Sequence, residues 1–435
     1  MLDDRGDRQG ARPMEARSGA TGVSTRLIGL LALLMFLNYA DRGSLSVAAP
    51  LLKDQLRLDA AQMGVLLSSF FWTYALAQPV AGVVAQKFPI RWVLAGGLTV
   101  WAGATMLCGV TTGFASLLVL RLMLGLGESV IFPANARLLA EHAPDRQRGF
   151  ANAIISVGMF VGPAAGTLAG GLILARFGWQ AVFLCLGAVS LLWLLPWFAT
   201  PLPGSTPAHP AEPAVEAPGF GEILRQRDLW GVSFGQFCYS YSPYLILTWL
   251  PLFLVKAEHF SLTAMAWIGA AVPASQAVGA ALSGHLSDHM IRRGGGVTLA
   301  RKAFMLGGMA GCGVMLVLTA YASRTWVAPC LCLAAFCSGA MSPMTFTVGQ
   351  TLAGPAAAGR WMGIQNLVGN LAGISAPMVT GWIVQTTGSF RPAFLAAATL
   401  SIAGVICWGL VLGPIEPVAW RRRATLALSP ALKAT

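Results

Sequence analysis

Long apolar stretches alternate with short polar breaks along almost the whole chain. Twelve stretches of 20 to 26 residues contain few charged side chains, and each is long enough to cross a bilayer as a helix, which takes ~20 residues. The pattern predicts an all-α integral membrane protein. The predicted spans are 26–50, 61–86, 92–111, 114–139, 150–173, 179–200, 229–254, 264–288, 303–322, 326–349, 361–385 and 392–413.

The breaks divide these spans into two halves. Six prolines lie between Pro201 and Pro218, a composition typical of a flexible linker. We therefore expect two six-helix bundles, at 26–200 and 229–413, joined by a linker at 201–228. Tails remain at 1–25 and 414–435. The first apolar run could be read as a signal peptide, but eleven more spans follow it, so we interpret it as a retained helix.

Composition narrows the function classes. Hydrophobic residues make up 56% of the 435 residues and charged ones 11%, whereas soluble domains carry about 25% charge, so a soluble enzyme is excluded. The net charge of +12 is scattered between the spans, which argues against a nucleic-acid partner. The eight cysteines form no CxxC pair, and we expect neither a metal site nor a cofactor.

Lysine and arginine predict the orientation, because these residues are retained on the cytoplasmic side of a membrane. With both termini inside, six of the 29 fall outside and two within spans, which leaves 21 inside. The chain is therefore expected to be multi-pass with cytoplasmic N- and C-termini. The six outside are Lys53, Arg57, Arg176, Lys256, Arg324 and Arg391.

A polar pattern repeats at matching places of the two halves. Gly82 and Arg91 lie at and just beyond the end of the second span, and Gly284, Asp288 and Arg292 lie at and just beyond the end of the eighth, both on the predicted cytoplasmic side. A small glycine lets helices approach closely, and the charged residues can hold the inner ends of two bundles together in one state. We predict that Arg91, Asp288 and Arg292 act in conformational gating, although a positive-inside loop would look similar in either copy alone.

Four charged residues remain at membrane depth. Of the seventeen acidic residues only Asp41 and Glu128 fall well inside spans, accompanied by Arg42 and Arg121. A charge at the centre of a membrane helix costs ~2.5–3.5 kcal/mol on insertion scales, so such residues usually face a cavity and serve function. These four are the candidate site.

Spacing suggests what this site can do. Arg121 and Glu128 are seven residues apart, which places them on one helix face about 10 Å apart along the axis, where both could line one cavity. The charge of a buried carboxylate depends on a nearby cation, so an anion that occupies the arginine would change it. This is the chemistry of proton-coupled anion transport. The alternative is a static ion pair that fixes helix packing, and the same holds for Asp41 with Arg42.

Two segments resemble a known family. The stretch from Asn38 to Pro50 reads NYADRGSLSVAAP, which is similar to the NYxDRxNLxxAxP pattern of anion:cation symporters of the major facilitator superfamily. The stretch from Leu120 to Glu128 reads LRLMLGLGE and continues to FPAN at 132–135 and to the loop at Arg146 and Arg148. The resemblance covers the whole chain. It implies the major facilitator fold, with two six-helix bundles related by a pseudo-two-fold axis.

The resemblance also implies a function in the bacterial inner membrane. Relatives of this kind take up sugar acids or other carboxylates together with protons, usually as monomers, by exposing a central site alternately to each side. We therefore expect a small organic anion as substrate and H⁺ as coupling ion, with Na⁺ not excluded. Glu128 and Asp41 would carry the proton. The substrate would bind Arg42, Arg121, Tyr39, Tyr74, Gln236, Ser342 and Asn366.

Some residues depart from the family pattern. Met159 stands where sugar-acid carriers often have glutamine, and Gln86 stands where the loop pattern has aspartate. A glycine-rich fifth span, with Gly158, Gly162 and Gly166, is similar to that of proton-driven drug exporters, although such spacing also permits close packing. An exporter of a drug or aromatic acid is thus the alternative. A sensor and a membrane enzyme fit less well, because no effector domain or catalytic constellation is found.

Overall fold

Every regular element is helical in the part of the chain that the computed structural model describes, residues 25–142, 145–202 and 218–420, with the side chains at 140–150, 153, 355 and 356 excluded. The helices are α1 (Thr25–Asp41), α2 (Ser44–Gln55), α3 (Ala60–Lys87), α4 (Ile90–Cys108), α5 (Phe114–Glu128), α6 (Ile131–His142), α7 (Asp145–Phe177), α8 (Trp179–Leu192), α9 (Leu194–Ala199), α10 (Phe220–Leu224), α11 (Arg227–Leu252), α12 (Leu262–Arg292), α13 (Val297–Tyr321), α14 (Arg324–Thr387) and α15 (Arg391–Ile406). Short π-helical turns at Phe253–Ala257 and Cys407–Val411 extend α11 and α15.

Eleven of the twelve predicted spans are confirmed, and two of these, 114–139 and 179–200, contain a short break, between α5 and α6 and between α8 and α9. Eleven helical segments of the described chain are long and apolar enough to cross a membrane. The first predicted span, 26–50, is not one helix but two, because the chain turns at Arg42 and Gly43 between α1 and α2. The interruption lies beside the acidic and basic pair at Asp41 and Arg42, where the backbone departs from a straight helix.

Helix α14 contains two predicted spans. Its first arm, Arg324–Gly354, and its second arm, Ala357–Thr387, meet at a kink. Gly354 adopts φ 61° there, a left-handed conformation that glycine reaches without steric cost. The kink reverses the chain with almost no loop between the two arms.

Each half packs as a bundle. In the first half α1 lies along α7, and three glycines of α7 allow the contact. A Cβ atom at Gly158 would lie 2.5 Å from the Ala32 carbonyl oxygen, and one at Gly166 would lie 2.4 Å from the Ala40 carbonyl oxygen. The glycine spacing of the fifth span therefore has a packing role here. In the second half α14 packs against α11, α12 and α13.

The halves meet on the face that is opposite to the first and last described residues. We call the face carrying Thr25 and Trp420 the terminal face. On the opposite face the Ala60 amide donates to Gln385 Oε1 at 3.0 Å, and Lys256 pairs with Asp54. A Cβ at Gly64 would lie 2.7 Å from the Pro377 carbonyl oxygen, so the two backbones touch. This face is closed.

Parts of the predicted tails and linker are described. The tail at 1–24, the linker at 203–217 and the residues from 421 onward lie outside the described residues. The end of the predicted linker forms the short helix α10. The start of the predicted C-terminal tail packs on the second half, where the Val418 amide donates to the Leu352 carbonyl at 2.9 Å and Trp420 Nε1 donates to Ala353 at 2.9 Å.

Candidate functional site

A cavity of about 900 Å³ lies between the two halves. Inside it the ring of Phe71, from the first half, meets the ring of Tyr244, from the second, with centroids 4.7 Å apart. From this contact the cavity extends toward the terminal face, where Phe220 and Arg360 line it. The site is therefore accessible from the terminal face and closed on the opposite face.

Arg42 stands at the wall of this cavity inside an aromatic cage. Its guanidinium carbon lies 4.4 Å from the ring centroid of Tyr39 and 4.8 Å from that of Tyr74. The Phe70 ring, stacked on Tyr74, is 5.3 Å away. Ring faces attract a cation, and the spacing of Phe70 and Tyr74, four residues apart on α3, points both rings to the same place. The cage holds a positive charge at the cavity.

Glu128 lies directly behind Arg42. Arg42 Nε donates to Glu128 Oε2 at 3.0 Å. The glutamate is fully buried, whereas the arginine side chain keeps 10% exposure. One guanidinium thus has two neighbours, a buried carboxylate on one side and the cavity on the other.

Asp41 and Arg121 form the rest of the buried charge cluster. Thr105 Oγ1 donates to Asp41 Oδ2 at 2.6 Å, and the aspartate is 1% exposed. Arg121 is 3% exposed, interacts electrostatically with both Asp41 and Glu128, and lies 5.6 Å from the Phe70 ring. Two acids and two bases balance each other, which lowers the cost of burying them. We call Asp41, Arg42, Arg121 and Glu128 the charge quartet.

The quartet differs from the expectation in one respect. Arg121 and Glu128 do not share the cavity wall: among the described residues Arg42 is the member of the quartet that lines the cavity. Helix periodicity correctly placed Arg121 and Glu128 on one side of α5. It could not show that Arg42, from α1, would insert between Glu128 and the cavity.

The predicted binding residues do gather at the cavity. Tyr39, Tyr74, Gln236, Ser342 and Asn366 all line it. Met159, the residue that departs from the family pattern, lines it as well. Of the aromatic residues of α11 only Tyr239 and Tyr244 reach it in the described chain.

An amide network forms the wall contributed by the second half. Gln365 Nε2 donates to Gln236 Oε1 at 2.7 Å, and Gln236 Nε2 donates to Asn366 Oδ1 at 3.3 Å. Farther in, the Tyr244 hydroxyl donates to Asn370 Oδ1 at 3.1 Å. Sequence reasoning missed Gln365 and Asn370, and it missed Phe70 and Thr105 in the first half. A neutral residue on a membrane helix carries little signal of its own, and only the spacing of Phe70 and Tyr74 could have pointed to a shared face.

The predicted gating residues lie on the terminal face. Arg91 donates to the Thr200 carbonyl, within the first half, and its guanidinium is 5.9 Å from the Phe198 ring. Asp288 and Arg292 are exposed at the end of α12, and Asp288 interacts electrostatically with Arg301 of the same half. In this terminal-open structure, the contacts seen for the described residues do not bring these three side chains together. Their gating role stays a prediction, and the side chains of Arg146 and Arg148 lie outside the description.

The fold and cavity can now be compared with known proteins. The sequence model described as Major Facilitator Superfamily matches residues 31–377 and 298–434. The chain belongs to the Major Facilitator Superfamily. As in the rest of this superfamily, which consists of transporters rather than enzymes, it is a multi-pass membrane protein whose central cavity lies between two bundles.

Anion carriers are among its relatives. The chain is 28% identical over 432 residues to a probable galactarate/D-glucarate transporter of Bacillus subtilis, covering 93% of this chain and 95% of that protein. It is 32% identical over 414 residues to a probable sulfoacetate transporter of Cupriavidus necator, covering 91% and 96%. A chloroplastic ascorbate transporter of Arabidopsis thaliana is 30% identical over 390 residues, covering 85% and 71%. These relatives are all named as transporters of organic anions.

Solved structures agree with the fold. A bacterial homologue of the human lysosomal transporter Spinster, in an inward-facing and occupied conformation, matches with a TM-score of 0.77 and 20% identity, covering 88% of this chain and 96% of that one. The unoccupied inward-facing form matches with a TM-score of 0.73 and 21% identity. At these identities the likeness concerns the fold alone.

Proposed function

We propose that this protein imports a small organic anion together with a proton. The observation that carries the proposal is the position of Arg42, which lines the cavity and at the same time pairs with Glu128 through a 3.0 Å contact. A substrate carboxylate that reaches Arg42 competes with Glu128 for the same guanidinium. Binding of the anion and the state of the glutamate are therefore linked.

This link between anion binding at Arg42 and the protonation of Glu128 would couple anion transport to proton transport. Glu128 is fully buried, and a buried carboxylate that loses its cation carries a large free-energy cost. Taking up a proton removes that cost. The anion on Arg42 and the proton on Glu128 then enter the carrier together, and for a monoanion the loaded site has the same net charge as the empty one. A dianion needs a second proton for the same balance, which Asp41 would carry.

The remaining members of the quartet, Asp41 and Arg121, would assist proton transfer. Asp41 is held by the Thr105 hydroxyl beside Arg121, and we assign it the relay that lets the proton leave Glu128. Arg121 keeps the cluster neutral when Arg42 turns to the substrate. Tyr39 and Tyr74 hold Arg42 at the cavity in either state.

The second half recognises the rest of the substrate. Its amides, Gln236 and Asn366, and the hydroxyl of Ser342 face the cavity, and such groups hydrogen-bond neutral polar atoms without adding charge. The relatives carry names that include galactarate, glucarate, ascorbate and sulfoacetate. We infer a carboxylate that bears hydroxyl groups or a second polar group.

The positions of the lysines and arginines suggest the direction of transport and the location of the protein. The lysines and arginines predict that the terminal face is cytoplasmic, so the cavity would open to the cytoplasm of a bacterial cell, with the protein in the inner membrane as a monomer. Closure of the terminal face would bring the predicted gating residues Arg91, Asp288 and Arg292 into use. In the alternative, in which the protein is an exporter, the same residues would serve substrate flux in the opposite direction.

The test is internal acidification of proteoliposomes that contain the purified protein. D-glucarate, sulfoacetate, ascorbate and a drug panel are added in turn, with Glu128→Gln run alongside. Acidification by one acid in the wild type and not in the variant is the expected result. If no acid caused internal acidification, and a drug caused alkalinisation of vesicles loaded with acid, the protein would be an exporter and the uptake proposal would be wrong.

A further inference from the structure

Two arginines line the cavity among the described residues, and the quartet accounts for only one of them. Arg42 lies in its cage of Tyr39 and Tyr74, and Arg360 lies at the start of the second arm of α14, near the terminal face. Arg360 is exposed, unlike Arg42 in its aromatic cage. A positive charge at the mouth of an anion cavity can act on every anion that passes it.

Helical spacing connects Arg360 with the amide wall. Residues 360, 363, 366 and 370 of α14 line the cavity, so they follow one face of the helix. At 1.5 Å per residue, Asn366 lies about 9 Å and Asn370 about 15 Å deeper than Arg360 along the axis. Polar groups thus run along this helix face from Asn370 to the mouth of the cavity.

Arg360 also holds the segment that joins the two halves. Its Nη1 donates to the Pro218 carbonyl at 2.6 Å, and its guanidinium carbon lies 5.2 Å from the Phe220 ring centroid. Phe220 itself lines the cavity, although it belongs to the linker and not to a membrane span. The side chain of Arg360 is therefore tied to a linker residue at the same mouth that an anion must pass.

We propose that Arg360 is a second anion contact, used by substrate on the terminal side. An arriving or departing carboxylate replaces the Phe220 ring and the Pro218 carbonyl as partner of the guanidinium, because a carboxylate offers a stronger, charge-assisted hydrogen bond. Phe220 is then a competitor that keeps the anion from resting at the mouth. This inference rests on the proposed anion transport.

The experiment measures exchange in proteoliposomes sorted for one carrier orientation. The anion is the one that the wild-type protein exchanges fastest among D-glucarate, sulfoacetate and ascorbate. The anion is kept at a saturating concentration on one face of the membrane, and its concentration is varied on the other face. Arg360→Gln should raise the half-saturating concentration on the terminal face roughly three- to fivefold, the scale of an exposed charge contact. The value on the opposite face should change less than about twofold, since that side does not reach Arg360.

The variant Phe220→Leu distinguishes two roles of Arg360, binding of the anion and anchoring of the linker. It removes the ring and leaves Arg360, so the half-saturating concentration on the terminal face should fall or stay unchanged. Rising ionic strength should weaken terminal-side binding in the wild type more than in Arg360→Gln, because salt screens exposed charges. Arg225→Gln, at an exposed arginine that follows α10 and is not among the lining residues of the described cavity, is the matched control.

Two outcomes would overturn the inference and are distinguishable from each other. Equal losses from both faces in Arg360→Gln and Phe220→Leu would show that Arg360 only anchors the linker. Absence of anion exchange by the wild-type protein would remove the proposed function and the inference with it. A shift confined to the terminal face, with Phe220→Leu moving the opposite way or not at all, supports it.

Discussion

The two halves of the molecule bring different chemistry to one cavity. The first half buries two acids and two bases, and of these four described side chains Arg42 alone lines the cavity. The second half presents amides and hydroxyls that bond one another, with its own lining charge at the mouth. Buried charges are costly unless they are paired, and the Arg42–Glu128 pair allows Glu128 to change its protonation without rebuilding the fold. The difference suggests that coupling and recognition are separable functions of the two halves.

The comparison is tested most severely by Arg42→Gln. This change removes both the anion contact and the partner of Glu128, so we expect transport kcat/KM to fall at least about 30-fold, in line with the 2–5 kcal/mol that loss of one partner of a buried charge pair costs. Arg42→Lys keeps the positive charge but not the planar guanidinium, and should recover a part of the lost transport activity. Uptake of the radiolabelled anion by proteoliposomes measures both.

The control for this variant is Arg324→Gln on the opposite face. Arg324 is exposed and donates to the His259 carbonyl at 3.1 Å, far from the cavity, and its loss should leave kcat/KM within twofold. A folded Arg42→Gln protein, with a wild-type melting temperature in detergent, that still transports at more than a tenth of the normal rate would contradict the role given to Arg42.

The second half should respond differently, through Gln365→Leu. The buried amide of Gln365 orients Gln236, and loss of one such hydrogen bond is worth ~1 kcal/mol. We expect KM to rise about three- to tenfold while the number of protons per anion stays the same. Thr386→Val, at an exposed position of the same helix, serves as control. A changed stoichiometry would show that recognition and coupling are not divided between the halves.

The fold could be predicted because membrane helices have a strong local pattern. Length and apolarity placed eleven of the twelve spans on membrane-spanning helical segments of the described chain. The turn at Arg42 and Gly43 could not be predicted, because nothing in the composition distinguishes a bent span from a straight one. Charged residues in spans are rare, so Asp41, Arg42, Arg121 and Glu128 were found by elimination.

The pairing within the site was beyond sequence reasoning. Arg42 and Glu128 are 86 residues apart, and periodicity relates only residues on the same helix. The cage of Arg42 combines Tyr39 from α1 with Phe70 and Tyr74 from α3, which only tertiary packing brings together. The same reason hid Gln365, whose partner Gln236 lies on α11.

The smallest effect is expected where the halves touch on the opposite face. Asp54 and Lys256 pair across the halves, but their side chains are 58% and 41% exposed, and water screens such pairs strongly. Asp54→Asn should therefore change the transport rate by less than about twofold. A cysteine-accessibility assay on the opposite face would detect any shift toward opening. A loss above tenfold would mean that this pair, and not the cavity, controls the cycle.

The most direct test of the account compares net transport with exchange in Glu128→Gln. Glutamine cannot release a proton, so proton-driven accumulation and vesicle acidification should both be lost. Anion-for-anion exchange should survive, because it needs no proton to leave the carrier. This split, with Arg42→Gln losing both activities, is the result that we predict. Accumulation and acidification that persist in Glu128→Gln would contradict the claim that the Arg42–Glu128 pair couples the anion to the proton.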